Sequence, residues 1–314
     1  MIFGISGSIF FVHFPFVKLY DIPLTAYRDF PRTIINRCAR RLDFKIRFIR
    51  YRNETRAMTE LDSLIEQHGC IGLQTSVYWL TYFPPRMRFH FNGHNILIYG
   101  KTGNDYLVSD PVLDKPVVCP GDSLKRARFG KGIFAPRGTV YFPLSLPNSE
   151  LVPQAILQGI DHACKRMLYI FLPWFGTRGI AFLGKSILKW PQKLNHERKV
   201  RAYVGNVFRM QEEIGTGGAG FRFMYASFLQ ESAQWLNAPE LNDFSSRMTE
   251  IGDLWQEFAL QAGRICKDRE HLSSLNLLSD ILRDLSLREH HLFKNLHRFI
   301  RQYRKKNRME KTTS

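Results

Sequence analysis

The feature that most constrains this chain is a change in its apolar pattern near residue 150. Before it, short runs rich in β-branched and aromatic residues read as strands: KIRFIRY (45–51), IGLQTSVYWL (71–80), HNILIYG (94–100), DYLVSD (105–110) and TVYFPL (139–144). Between them RTIINRCARRLD (32–43) and NETRAMTELDSLIEQHG (53–69) carry helical periodicity, the second opened by Asn53 as a cap. After PLSLPNSELVP (143–153), whose prolines and Ser-Asn pair mark a linker, strand signals vanish. Helices are then expected near 154–171, 196–213, 219–236, 239–267 and 271–306, interrupted at Pro191, at the loop Gly215–Gly220 and at Pro239. The fold class is therefore α+β, with an α+β domain over 1–147 followed by an all-helical domain over 148–314.

Length agrees, since 314 residues at roughly 150 per domain suggest two cores. With 44% apolar and 23% charged residues, disordered and fibrous classes are excluded. Five cysteines (Cys38, Cys70, Cys119, Cys164, Cys266) form no CxxC pair, so neither a zinc site nor a disulfide scaffold is indicated, and a reduced, cytoplasmic chain is expected. The opening MIFGISGSIFFVHFPF lacks the basic start and cleavage site of a signal peptide. The apolar stretch 168–188 is interrupted by Pro173, Arg178 and Lys185, so no membrane span is expected.

The charge is unusual. Lys and Arg number 45 against 28 Asp and Glu, a net +17 that divides as +8 on residues 1–150 and +9 on the remainder. Such a surplus implies an acidic partner, whether nucleic acid, an anionic surface or an acidic protein. The densest run, RFIRQYRKKNR from Arg298 to Arg308, reads most simply as a helix end with Phe299 and Tyr303 on one packed face. No helix-turn-helix, zinc-finger or RNA-recognition signature accompanies it, so nucleic acid is a minor reading.

The segment from Gly93 to Pro111 carries the clearest chemical signal. Two strands flank Lys101–Asn104, where Gly103 permits a tight hairpin. Folding there makes residues whose numbers sum to about 205 face one another, which sets His94 beside Asp110. A carboxylate accepting the Nδ1 proton of the imidazole would fix its tautomer, supplying the base and orienter of a catalytic triad. On the residues alone, a His–Asp pair that merely holds a hairpin together is the commoner case.

A nucleophile is harder to find. In GISGS (Gly4–Ser8) the serine stands where a nucleophile elbow needs glycine, so turn glycines are the better reading. Cys38 lies in the basic NRCARR helix, which would lower a thiol pKa, yet a buried structural cysteine is the simpler expectation. The remaining cysteines carry no local signature.

Several segments together resemble one family. FGISGSIFF, RFHFNGHNILIYG, DYLVSDP and FGKGIFAPRGTVYFP (129–143) look like the N-terminal domain of butirosin biosynthesis protein H, and GTGGAGFRFMYASFL (215–229) resembles the helical domain usually joined to it. The resemblance implies a papain-like fold, related to bacteriocin-processing cysteine peptidases. It also implies an acyltransferase that passes an acyl group from the phosphopantetheine of an acidic acyl carrier protein to a small-molecule amine, with no cofactor of its own. His94 and Asp110 match the family's His and Asp. Its cysteine lies in a His-Cys segment upstream of the glycine motif at which this chain begins. The expectation is therefore an N-terminally incomplete domain, lacking its first helix and the nucleophile, and inactive as it stands.

Other candidates are weaker. Gly215, Thr216, Gly217 and Gly218, with Arg222, could cradle the phosphate of phosphopantetheine, although a plain interhelix turn is simpler and no Walker lysine follows. His90 and Asn92 could shape the site beside His94, or belong to an edge strand. Gln74 reads as a packed or solvated amide rather than an oxyanion donor. His290, His291 and His297 lack partners at ligand spacing, so no metal is expected. The alternatives to acyl transfer are a papain-like peptidase and a non-catalytic basic protein that holds a carrier protein or, less readily, nucleic acid.

Overall fold

The computed structural model describes residues 1–314 except Tyr20, residues 215–217 and Ser314, and gives the backbone alone for 308–313. In chain order the first elements are α1 (Ile2–Ser6), β1 (Ile9–Leu19), β2 (Ile22–Arg28), α2 (Pro31–Arg41), β3 (Ile46–Ile49), α3 (Glu54–His68), β4 (Ile71–Thr75), β5 (His94–Thr102) and β6 (Asp105–Ser109). There follow β7 (Val117–Pro120), α4 (Gly121–Arg128), β8 (Val140–Pro143), α5 (Val152–Leu168), α6 (Gly176–Leu194), α7 (Glu197–Glu212), α8 (Arg222–Trp235), α9 (Glu240–Cys266) and α10 (Leu275–Thr313). The result is a mixed α+β structure with a mostly helical C-terminal region.

Two compact units emerge, one of residues Met1–Leu42 with Ser149–Ser314, the other of Asp43–Asn148. The second unit ends at Asn148, one residue past the boundary expected at 147/148, and the first 42 residues group with the helices. The reason lies in β1. Its first four residues, Ile9 to Val12, are all buried, so they need apolar cover on both faces. In that unit α6 packs along β1 and α7 along β2. Trp255 of α9 stacks on Phe11 at 6.0 Å and meets Tyr27 edge-on at 5.3 Å. The turn after α1 has Gly7 in the left-handed region, φ +63°. A Cβ on Gly159 of α5 would stand 2.3 Å from the Gly4 carbonyl oxygen, so α5 comes this close to α1 only because Gly159 lacks a side chain.

The Asp43–Asn148 unit is built on a six-stranded antiparallel sheet in the order β3-β8-β4-β5-β6-β7. Asn53 caps α3 as expected, its Oδ1 accepting the Arg56 N–H at 2.8 Å, and Gly69 ends that helix at φ +70°. Leu61 and Ala57 of α3 and Leu124 and Ala127 of α4 join Ile71, Leu73, Ile96, Ile98 and Val108 of the sheet in one core.

Six elements went unforeseen: α1, β1, β2, β7, α4 and α6. Pro191, expected to interrupt the chain, instead sits in the last turn of α6, which ends at Leu194 with Asn195 left-handed at φ 46°. A proline one turn from the C-terminus removes a single hydrogen bond and leaves the rest of the helix intact. Among the described residues no helix is long and apolar enough to cross a membrane.

Candidate active site

The β5–β6 hairpin turns at Gly103, φ +60°, with Thr102 opposite Asp105. From there Lys101 pairs with Tyr106 and Gly100 with Leu107, which would leave His94 and Asp110 on opposite faces. A bulge between Ile98 and Gly100 changes this, pairing Ile98 with Val108 and Leu97 with Ser109. One extra residue on β5 thus flips its parity, and His94, Ile96 and Ile98 share the buried face with Val108 and Asp110. His94 and Asp110 are diagonal neighbours rather than directly opposed, still within reach across the sheet.

The contact itself is short. His94 Nε2 lies 2.7 Å from Asp110 Oδ2, with His94 only 9% and Asp110 3% exposed. This corrects the expected ring nitrogen: the carboxylate takes Nε2, and among the described residues no hydrogen bond engages Nδ1. The carboxylate has two further donors. The Tyr82 hydroxyl donates to Oδ2 at 2.6 Å and the Val112 N–H to Oδ1 at 2.9 Å. Burial raises the Asp110 pKa, but the hydrogen bond and charge of His94, then Tyr82 and Val112, outweigh it, and the carboxyl ends below its ordinary value. Tyr82 is pushed the other way, first by burial and then by the Asp110 charge, and stays a donor. An ionised Asp110 accepts the Nε2 proton, which leaves Nδ1 without a hydrogen bond among the described residues.

Around this pair the chain is pinned by amides. Asn92 Nδ2 donates to the carbonyls of Lys131 and Ile133, at 3.0 and 2.9 Å. Gln74 Nε2 donates to those of Asn92 and Phe134, at 3.0 and 2.9 Å. Both side chains clasp the loop after α4, and Gln74 has its donors engaged. Gly130 fits there because a Cβ would stand 2.6 Å from that of Ser76. His90 is exposed and stacks on Tyr78 at 4.0 Å.

No hydrogen bond joins a thiol of this unit to His94 among the described residues. Thr75 is the register partner of His94 on β4, and Cys70 lies five residues before it, about 17 Å along the strand at ~3.3 Å per residue. Cys119 pairs with Tyr106, four residues from Asp110, or roughly 13 Å away. Burial raises the pKa of all five thiols, that of Cys119 to about 12. Cys38 is buried, and desolvation outweighs the nearby Met1 ammonium and Arg41. The basic helix does not activate it.

Beside the glycine loop, Arg222 is not a free cation. Gly215, Thr216 and Gly217 lie outside the described residues. Beside them the Ala219 N–H donates to Glu212 Oε1 at 2.9 Å. Arg222 is fully buried and bonds Glu289 through Nε at 2.8 Å and Nη2 at 2.9 Å, while Trp255 Nε1 donates to the same carboxylate at 2.7 Å. Its charge is neutralised from within, which makes Arg222 part of a core network. His297 bridges Asp161 and Tyr169 at 3.2 and 3.1 Å. Phe299 and Tyr303 pack on one face of α10, their rings 6.1 Å apart.

The fold and site define a two-part α+β protein with a strand-borne, oriented histidine. Residues 122–296, more than half of the chain, match the family described as Domain of unknown function (DUF4872), to which the chain belongs, and residues 1–111 match the family described as Butirosin biosynthesis protein H, N-terminal. No curated protein matches the chain. His94, Asp110 and Tyr82 all fall within the second of these matches. Tyr82, absent from the sequence reading, comes from an irregular segment with no periodicity to mark it.

Proposed function

We propose that this chain carries the base-and-orienter part of a thiol-dependent acyltransferase with a papain-like domain. The observation that supports this reading is the buried His94 Nε2–Asp110 contact with Nδ1 left unengaged. In the proposed reaction Nδ1 takes the proton of a cysteine thiol, and the thiolate attacks the acyl thioester of an acidic carrier protein. The acyl–sulfur bond to the carrier breaks, and the departing phosphopantetheine thiolate takes the proton from Nδ1. An amine then attacks the acyl-enzyme, giving its proton to Nδ1, and the amide leaves as the enzyme thiol is restored. Asp110 stabilises the imidazolium at both stages. Cys70 and Cys119 are not assigned the nucleophile's role, since their register positions lie about 17 and 13 Å along the sheet from the dyad.

The test supplies the protein with an acyl carrier protein and an amine, with products followed by mass spectrometry. His94→Ala should lower turnover by ~10³-fold, within the range for loss of a general base. Turnover unchanged in His94→Ala would refute the assignment.

A further inference from the structure

The same unit contains a cavity of about 510 Å³ lined by Tyr78, Trp79, Thr81, Arg88, Ser123 and Arg126, with Pro85 and Asp122. That volume lies in the range of small-molecule sites. Its walls come from two places in the sequence. Residues 78–88 follow β4, and Asp122, Ser123 and Arg126 belong to the first turns of α4.

Its polar groups have a consistent character. Arg88 Nε is buried with no hydrogen-bond partner among the described residues. Among the described residues no carboxylate pairs with the Arg88 guanidinium, which leaves its charge to complement an anion entering the cavity. Arg126 has no ion pair among the described residues, and its guanidinium stands 5.5 Å over the Trp79 ring. The Thr81 and Ser123 hydroxyls meet at 2.8 Å, so whichever accepts keeps its own proton for an outside oxygen. Against two guanidinium groups there is one exposed carboxylate, Asp122, which leaves the lining net positive. Tyr78 and Trp79 stand at 90° with ring centroids 5.0 Å apart, giving the cavity an aromatic corner.

We infer that this cavity binds an organic phosphate ester, with the phosphate between Arg88 and Arg126 and the organic part against Tyr78 and Trp79. Phosphate is favoured over carboxylate by the number and spread of donors. One guanidinium satisfies both oxygens of a carboxylate in a planar pair, whereas tetrahedral phosphate oxygens can engage two guanidinium groups and a hydroxyl at once. The site is also tied to the dyad. Thr81 lines the cavity and the next residue, Tyr82, holds Asp110. The inference does not depend on acyl transfer, because it concerns binding alone.

The test is titration of the full chain with phenyl phosphate, read by calorimetry and by broadening of the ³¹P resonance. Saturable binding is expected, weakened at least tenfold in both Arg88→Gln and Arg126→Gln, with inorganic phosphate binding more weakly than the ester. Arg126 is exposed, so its variant decides the matter even where Arg88→Gln perturbs folding. His94→Ala should bind the ester as the parent does, so loss of turnover there with binding retained separates this site from the proposed reaction. Benzoate binding as tightly as phenyl phosphate would overturn the assignment to phosphate. No saturable binding, or affinity unchanged in Arg126→Gln, would overturn the site.

Discussion

Replacing Asp110 by Asn isolates the charge of the carboxylate from its shape. In the parent Oδ2 accepts from both His94 and Tyr82 while Oδ1 accepts from the Val112 N–H, and the side chain has no exposed surface. An amide cannot reproduce three accepted bonds. With its oxygen at the Oδ2 position, its NH₂ confronts the Val112 N–H; flipped, it confronts the Tyr82 hydroxyl and His94. In the better orientation two bonds lose their charge assistance, about 1 kcal/mol each, and one buried donor goes unmet, about 1–3 kcal/mol. A destabilisation of about 3–5 kcal/mol follows at neutral pH. The pH dependence has a fixed sign, because the folded-state pKa of Asp110 lies below its unfolded value. The ionised carboxylate therefore contributes fully above about pH 4, and its contribution is lost as pH falls through the folded-state value. Urea unfolding followed by circular dichroism should thus show the full gap between parent and Asp110→Asn at pH 7 and pH 5, narrowing below about pH 4. A gap under 1 kcal/mol at pH 7, or one that widens on acidification, would refute the reasoning.

Other outcomes follow from the same structure. Tyr82→Phe should cost about 1.5–3 kcal/mol by removing a hydrogen bond to a charged acceptor, and urea titration measures it directly. Glu289→Gln in the buried Arg222 pair should cost about 3–5 kcal/mol, whereas Arg222→Met combined with Glu289→Leu should recover much of that loss; equal stability of Glu289→Gln and parent would count against the network. Gly159→Ala should destabilise by about 1–3 kcal/mol, since a Cβ would stand 2.3 Å from the Gly4 oxygen and 2.8 Å from that of Ile5, both backbone atoms. In native protein iodoacetamide should label Cys70 first and leave Cys119 and Cys164 intact, as peptide mass spectrometry would reveal; prior labelling of either buried thiol would contradict the packing.

What the sequence revealed, and what it hid, divides along physical lines. The alternating runs at 94–100 and 105–110 exposed the hairpin, and with it the His94–Asp110 pairing, because one face is buried and the turn carries Gly103. The bulge at Tyr99 left no trace in composition, so neither the true register nor the engaged ring nitrogen was legible. Helix α6 escaped notice because Gly176, Gly179 and Gly184 lower its propensity. Their purpose is close packing, since a Cβ on Gly184 would stand 3.3 Å from Ser279 O of α10. The first strand escaped for the opposite reason. Ile9–Val12 is buried without alternation, and an unbroken apolar run has no period to read. Arg222 looked like a surface cation beside a glycine loop. Only the arrival of Glu289, 67 residues later, turns it inward.

The pairing of β3 with β8 has a consequence for how such a chain can be rearranged. Ile46 lies opposite Pro143, and the Leu144 N–H bonds the Lys45 carbonyl at 2.8 Å, so the sheet-bearing unit begins and ends on two adjacent, hydrogen-bonded strands. Its entry and exit therefore lie side by side, as in an inserted cassette. A short turn between positions 45 and 144 would bridge those two ends. Conversely, a foreign domain whose termini lie about 5 Å apart could occupy its place.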